Sequence, residues 1–173
     1  PDLVLIRNFA SLSYFQEKHP QIKLVGDYSL NVANELTARL FFDQGFVRQV
    51  PSYDLNWKQL LAMLKRFPAA WFEQVVHQHM PMFHMEHCVF AATLSNGKDY
   101  RDCGRPCEHH RVELRDRRGE LHPLLADVGC RNTLYNSMAQ SATEYIPRML
   151  EAGLRHFRVE LLREDPGEIG GLL

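Results

Sequence analysis

Four cysteines are the side chains of this chain best suited to inorganic chemistry, and all of them lie between residues 88 and 130. Cys103 and Cys107 form a C-x-x-x-C pair, with fourteen residues between Cys88 and the pair and twenty-two between the pair and Cys130. Four thiolates from one segment can ligate a tetrahedral zinc ion or an iron–sulfur cluster. Zinc ribbons usually repeat a short C-x-x-C spacing, whereas only one close pair occurs here. The spacing therefore leaves zinc and a cluster equally open, with disulfides or free buried thiols as the third interpretation.

Histidines and carboxylates surround the same segment. Imidazole is a common metal ligand, but polar side chains that hydrogen-bond around a loop produce the same pattern, and we favour that simpler interpretation. Glu73 and Glu86 are candidate acid–base groups, with solvated carboxylates as the alternative. Nine histidines occur in the chain, and those nearest the cysteines are His77, His79, His84, His87, His109 and His110.

Several classes of function lack support in these residues. The chain has no G-x-S-x-G, H-E-x-x-H, P-loop or G-x-G-x-x-G motif, and no serine or cysteine nucleophile stands with a defined base. A formal net charge of −1 provides no electrostatic argument for nucleic-acid binding. No apolar run approaches a membrane span, and the first residues lack the layout of a signal peptide. We expect a cytoplasmic protein without a membrane partner, and a chain that is a segment of a longer one because Pro1 directly precedes a predicted strand.

The elements that must position these residues alternate between strand and helix. Short apolar runs and helical periodicity predict strands over 2–7, 22–25, 46–50 and 72–77, and helices over 9–19, 29–42 and 55–67. This rhythm is typical of parallel βαβ units in a doubly wound sheet or a (β/α) barrel. Beyond His77 we expect irregular structure to residue 108, and then a hairpin that turns at Arg118-Gly119. A helix over 139–152 and a strand over 156–162 follow.

In such folds, chemistry collects at the carboxyl ends of the parallel strands. Here those positions hold polar side chains, and the cysteine segment follows the fourth predicted strand at the same rim. We therefore expect substrate to bind where these side chains converge with the histidine-rich segment. The predicted substrate-binding residues from this argument are Arg7, Asn8, Asp27, Asn31, His77 and His79.

Three segments of the chain resemble the peptidase U32 family, whose members are often described as collagenase-like proteases. They read MPMFHMEHCVFAATLSNG, YRDCGRPCEHHRVELRDRRG and HPLLADVGCRNTLYN. The resemblance implies an α/β fold: the carboxyl-terminal half of a (β/α)8 TIM-barrel-like catalytic domain whose amino-terminal half is missing. On that basis residues 1–173 form one fragment with βα repeats over 1–77. A cysteine-rich, cluster-binding insertion with a β-hairpin covers 78–138, and a final helix–strand unit with a tail covers 139–173.

The resemblance also implies chemistry. Members of the family include oxygen-independent hydroxylases that modify a tRNA uridine, an rRNA cytidine or the ubiquinone ring, and they hold a [4Fe-4S] cluster on four cysteines. The RNA-modifying members are linked to prephenate as oxygen donor. Carried over, the resemblance implies a cluster rather than zinc. The cationic side chains of Arg105 and Arg131 are candidates to hold an acidic oxygen donor or an RNA phosphate, with surface solvation or loop capping as the alternative for each. The implied cluster ligands are Cys88, Cys103, Cys107 and Cys130.

Two other functions stay open on the sequence. One is peptidase activity on collagen-like or other peptides, as the family label implies. The other is a non-enzymatic domain, stabilised by zinc or a cluster, that binds RNA or a protein partner. The sequence departs from the family's usual signature of a Glu, a Gly and then a Cys. Glu73 matches its start, but Gln78 and Pro81 stand at the glycine and cysteine positions, which leaves the substrate subgroup open.

Overall fold

The computed structural model describes residues 2–97, 100–167 and 169–172, which form two compact units. The first unit contains the chain up to Val76 together with Ser141–Val159. The second contains His77–Gln140 together with the chain from Glu160 onward. Among the described residues, every helix is too short or too polar to cross a bilayer.

The first unit begins with three parallel strands and their connecting helices. Strand β1 (Leu3–Ile6) is followed by helix α1 (Phe9–Lys18), β2 (Lys23–Gly26), α2 (Glu35–Asp43) and β3 (Phe46–Gln49). The strands pair in the order β1-β2-β3, and both pairings are parallel. Helix α3 (Trp57–Leu64) and strand β4 (Glu73–Gln78) come next. This part of the chain confirms the predicted alternation of strand and helix.

The second unit is built on an antiparallel sheet that the sequence predicted only in part. Strand β5 (Pro81–Met85) precedes the short helix α4 (Val89–Leu94), and then come β6 (Val112–Arg115), β7 (Leu121–Asp127) and β8 (Arg131–Tyr135). Their order in the sheet is β5-β8-β7-β6, with antiparallel pairing throughout. The predicted hairpin is confirmed as β6 and β7, which are joined by the turn around Gly119.

The chain returns to the first unit with the two-residue strand β9 (Gln140–Ser141), helix α5 (Ile146–Glu151) and strand β10 (His156–Val159). Helix α6 (Ile169–Leu172) follows and belongs to the second unit. A further sheet has the order β10-β4-β9, and a parallel bridge pairs Gln49, the last residue of β3, with Phe72. The chain is thus a mixed α/β protein. Its described residues form three separate sheets and no closed barrel, and the partial (β/α)8 barrel stays a prediction.

The two units have hydrophobic cores of very different size. The core of the first unit includes Ile6, Val32, Phe72 and Leu154, each fully buried, together with apolar side chains of all its helices. Among the described residues of the second unit, the core contains three buried side chains, Phe90, Leu124 and Leu134. Because burial of apolar surface is the main favourable term in folding, the second unit has much less of it to stabilise its structure.

Three sequence predictions of local structure were wrong. The helix predicted from Ser29 begins at Glu35, because Asn31 adopts a left-handed conformation (φ 53°) and Asn34 caps α2 by accepting the Thr37 N–H. The segment predicted to be irregular contains β5 and α4. In place of one helix over 139–152, the chain forms β9 and a 3-10 turn before α5 begins at Ile146.

Candidate metal centre

The four cysteines line one cavity of the second unit, with a volume of about 270 Å³. Cys88 immediately precedes α4, Cys103 and Cys107 lie in the connection from α4 to β6, and Cys130 lies in the turn between β7 and β8. Phe90 and Pro106 supply apolar wall, and Glu108 and Asp127 also line the cavity. Segments that are distant along the chain therefore place all four thiols around a common space.

Two left-handed turns present thiols to this cavity. Gly104 and Arg105 follow Cys103 with φ of 68° and 51°, and Gly129 and Cys130 have φ of 76° and 60°. Glycine adopts this region readily, but Arg105 and Cys130 do so at a cost of about 1 kcal/mol or more each. Strained backbone of this kind is concentrated at functional sites. One of the two strained turns directly follows Cys103, and the other contains Cys130.

Backbone and amide N–H groups surround two of the sulfurs. The Ala91 N–H donates to Cys88 Sγ at 3.5 Å, and the Arg105 N–H donates to Cys103 Sγ at 3.4 Å. The fully buried Asn132 places its Nδ2 at 4.0 Å from Cys88 Sγ, while its Oδ1 accepts the Val89 N–H at 2.7 Å. Such donors stabilise thiolates and tune the potential of a bound centre.

The thiols also influence one another electrostatically. Burial raises the pKa of the Cys107 thiol, and the neighbouring Cys88, Glu108 and Cys103 raise it further, against a hydrogen bond from its own backbone. Negative charge at one sulfur therefore opposes negative charge at the next. A cationic centre that is shared by these thiols would reverse that effect, because thiolate ligation neutralises the charges.

The residues present fit a four-thiolate centre in number and in chemistry. Four sulfur donors around one cavity are the ligand set of a [4Fe-4S] cluster or a Cys₄ zinc site. In the described part of the chain, no three His, Cys, Asp or Glu side chains are grouped so that they hold a metal ion as they stand. The fit thus depends on the shared cavity and its four thiols.

Two of the predicted substrate-binding residues of the first unit, Arg7 and Asp27, belong to an ion-pair network. Asp27 is fully buried and accepts from Arg7 Nε at 2.7 Å and from Arg158 Nη1 at 2.9 Å. Arg158 Nε also donates to Glu73 at 2.6 Å, and Arg48 donates to the other oxygen of Glu73 at 3.0 Å. Burial opposes the charge on Arg158, but Glu73 and Asp27 outweigh it and raise the pKa of the guanidinium.

The two asparagines predicted beside this network have local roles. Asn8 caps α1, because its Oδ1 accepts the Ser11 N–H at 2.8 Å. Asn31 closes a 3-10 turn in its left-handed conformation. The sequence did not identify Arg48 and Arg158 as members of this network, because they meet Asp27 and Glu73 only through the tertiary structure. A charged side chain within a short apolar strand was the signal that could have pointed to them.

In the second unit, His77 and His79 converge on Glu164. Their Nε2 atoms lie 3.2 Å and 3.6 Å from Glu164 Oε1, and His79 Nδ1 donates to the Asn136 carbonyl at 2.8 Å. Burial disfavours the charged carboxylate. Hydrogen bonds outweigh this effect of burial and lower the pKa of Glu164. Their donors are His77 and the backbone N–H groups of Leu162, Arg163 and Glu164 itself. Sequence reasoning missed Glu164, which is 87 residues beyond His77.

The two arginines predicted to bind substrate lie beside the thiol turns. Arg105 lines the cavity and pairs with Glu108 at 3.3 Å. Arg131 Nε donates to the Val128 carbonyl at 3.0 Å and so spans the turn that contains Gly129 and Cys130. This contact gives Arg131 a part in holding the Cys130 turn. A role of either residue toward substrate stays a prediction.

A family model described as peptidase family U32 matches residues 1–167. The chain belongs to peptidase family U32. The resemblance of its cysteine-bearing segments to that family is thereby confirmed. No curated protein and no solved structure matches the chain.

Two residues next to His77 and His79 stand where the resemblance places the glycine and the cysteine of the U32 signature. Gln78, at the glycine position, is buried, and its Oε1 has no hydrogen-bond partner among the described residues. Pro81, at the cysteine position, begins β5. Since Cys88, Cys103, Cys107 and Cys130 line the cavity without Pro81, this U32 protein has four thiols at the candidate centre despite the departure.

Proposed function

We propose that this U32 protein holds a [4Fe-4S] cluster on Cys88, Cys103, Cys107 and Cys130 and catalyses oxygen-independent hydroxylation of a base in tRNA or rRNA. One observation carries the proposal: a chain of this family brings its four cysteines to one cavity. Zinc on the same thiols is the alternative occupant. A cytoplasmic location follows from the proposed RNA substrates.

The residues around the cavity have distinct parts in this proposal. When bound, the cluster supplies one-electron redox chemistry that amino-acid side chains lack. The four thiolates ligate it, and the N–H groups of Ala91 and Arg105 with the Asn132 amide tune its potential. Arg105 and Arg131 offer guanidinium groups to an acidic oxygen donor such as prephenate, or to an RNA phosphate.

We also propose that the first unit is part of a (β/α)8 barrel. The parallel order β1-β2-β3 and the bridge from Gln49 to Phe72 support consecutive parallel strands up to β4. Arg7 with Asn8, and Asp27 with Asn31, directly follow the first two strands, which is where barrels bind substrate. A structure of a longer U32 chain in which no strand pairs with the outer edge of β1 would contradict this arrangement.

Metal analysis of protein purified without oxygen tests the cluster. We expect about four iron and four sulfide per chain with visible absorption, and loss of most iron in Cys103→Ser and Cys107→Ser. His110→Ser is the matched control, since it introduces the same residue at an exposed position near the pair. Full iron in both cysteine variants would refute the ligand assignment. Stoichiometric zinc without iron would favour the metal-stabilised binding domain.

The reaction itself is tested on unmodified tRNA and rRNA with prephenate and without oxygen. We expect one pyrimidine base to gain the mass of a single oxygen atom in nucleoside mass spectrometry. The product should disappear in the iron-depleted Cys103→Ser variant. RNA that stays unmodified in the presence of fully loaded protein would contradict the proposed substrate.

Peptidase activity is the second candidate, and the description of the matching family favours it. Hydrolysis of gelatin or another peptide substrate by the purified protein, persisting after chelation of metals, would support it over the hydroxylase. The same variants separate the two functions. A peptidase that is independent of the cluster should retain its activity in Cys103→Ser, whereas hydroxylation should not.

A further inference from the structure

A second cavity borders three of the four thiols. This cavity, here called the side chamber, has a volume of about 340 Å³ and shares Cys88, Tyr100, Cys103 and Cys130 with the thiol cavity. Its other lining residues come from the connection between β5 and α4, from α4 itself and from the loop that follows. They are Glu86, His87, Ala91, Ala92 and Gly97. A molecule in the side chamber would therefore lie directly beside three of the four sulfurs.

Small residues keep the side chamber open. Ala91 and Ala92 present only methyl groups from α4. Gly97 packs so closely on the next part of the loop that a Cβ there would lie 2.5 Å from the Asp102 carbonyl oxygen and 2.7 Å from the Cys103 Cα. Gly97 therefore packs directly on the backbone of Cys103, one of the proposed cluster ligands. The side chamber is shaped by this packing of the loop.

The polar lining suits a flat ring that carries hydrogen-bond donors. Tyr100 provides an aromatic surface and is 66% exposed. Glu86 is an acceptor when ionised, and His87 can either donate or accept. A carboxylate beside the chamber disfavours an anionic ligand group there, whereas it favours ring N–H or amino donors. The volume lies near the lower end of small-molecule sites, which span about 300–1,000 Å³.

We propose that the side chamber binds a single nucleobase ring, stacked on Tyr100, with its donor edge toward Glu86 and with His87 as a further hydrogen-bond partner. Stacking on an aromatic side chain is the usual way in which proteins hold a base that has left its own stack. The inference rests on the proposed function, because it places the target base of an RNA beside the proposed cluster. It assigns Glu86, His87 and Tyr100 to substrate binding.

Nucleotide binding to the full chain, prepared without oxygen, tests this assignment. The probes are cytidine and uridine 5′-monophosphate, and ribose 5-phosphate is the control that lacks only the base. Calorimetric titration should show binding of the nucleotides at millimolar concentration and none of the control. Tyr100→Ala should weaken nucleotide binding by about fivefold to a hundredfold, as expected for loss of one stacking contact.

Two further variants distinguish loss of the site from loss of the fold. Ala92→Leu adds bulk to the chamber wall and should abolish nucleotide binding while iron content is unchanged. Tyr14→Ala removes another exposed tyrosine, in α1 of the first unit, and should have no effect. Equal binding of ribose 5-phosphate, or wild-type affinity in both Tyr100→Ala and Ala92→Leu, would overturn the proposal.

The outcomes also separate this proposal from the cluster assignment. If iron-loaded protein binds neither nucleotide, the proposed base-binding site in the side chamber is wrong, and the cluster assignment is unaffected. Protein without iron that still binds the nucleotides in a Tyr100-dependent way would support the side chamber and refute the cluster.

Discussion

At the scale of single residues, buried charge in the first unit is matched by specific partners. Asp27 is fully buried, and Glu73 and Arg158 are largely so, yet each has at least two partners in the network that Arg7 and Arg48 complete. A buried ion is costly to transfer from water unless charged hydrogen bonds replace its hydration. Removing the central residue, Arg158, should therefore expose that cost.

We expect Arg158→Met to lower the free energy of unfolding by about 3 kcal/mol, because Asp27 and Glu73 each lose a guanidinium partner. Urea denaturation followed by tryptophan fluorescence measures the change. Arg39→Met is the matched control: its pair with Asp43 is exposed, so about 0.5 kcal/mol or less should be lost. Equal stability of the two variants would show that the network contributes little.

Glu164 provides a residue-scale prediction about pH. Its pKa is lowered in the folded protein, despite burial, by backbone N–H groups and His77. A depressed carboxylate pKa contributes stability that is present above the unfolded pKa of about 4.3 and is lost as the pH falls through the folded pKa. Glu164→Gln should therefore reduce the loss of stability on acidification below about pH 4.3.

Unfolding free energies of the wild type and Glu164→Gln, measured across a pH series, test this prediction. The difference between the two proteins should be largest at neutral pH and should narrow in acid. Glu17→Gln, which alters an exposed carboxylate on α1, should parallel the wild type throughout. If the difference in unfolding free energy between the wild type and Glu164→Gln is the same at every pH, ionised Glu164 does not stabilise the folded protein.

At the scale of elements, the connection from α4 to β6 depends on one close backbone approach. Gly97 contacts the backbone of Asp102 and Cys103, and an added methyl group would lie 2.5 Å from the Asp102 carbonyl oxygen. Gly97→Ala should therefore displace the segment that carries Cys103. We expect less iron per chain after anaerobic preparation.

The matched control for Gly97→Ala is Gly170→Ala in α6, where an added methyl group meets nothing within 4 Å. Alanine favours helix over glycine by up to about 1 kcal/mol, so this variant should keep its iron and its stability. Iron retention by Gly97→Ala at the control's level would mean that the loop tolerates the displacement.

At the scale of the whole molecule, the two units differ in what holds them together. Of the residues that the structure describes in the second unit, Phe90, Leu124 and Leu134 are buried in its core, and partly buried Cys88 packs on that core. When a domain buries little apolar surface, the free energy of metal binding can supply much of its folding free energy. The proposed centre should therefore stabilise the second unit far more than the first.

Iron removal tests this difference, because both tryptophans, Trp57 and Trp71, lie in the first unit. Chelation should increase proteolytic cleavage between residues 77 and 140, while the tryptophan fluorescence transition in urea stays unchanged. Cleavage sites located by mass spectrometry provide the measurement. Protection of that segment in the iron-free protein would contradict a stabilising centre.

Much of the local structure was predictable because it rests on short-range physics. Strands β1 to β4 and helices α1 and α3 follow from apolar periodicity, and the β6–β7 hairpin follows from a polar turn containing Gly119. The errors arise where local signals are weak. Asn31 and Asn34 delay α2 through backbone conformation and capping, and β5, with its exposed middle residues, is a strand because it pairs with β8.

The sequence by itself determined the family, the four cysteines and the alternation of strand and helix, since these depend on residue types and on spacing along the chain. Only the tertiary structure decided that the four thiols line one cavity, that His77 and His79 meet Glu164, and that Arg158 lies between Asp27 and Glu73. Contacts between residues far apart in the chain depend on strand register and loop packing, and neither leaves a periodic signal in one sequence.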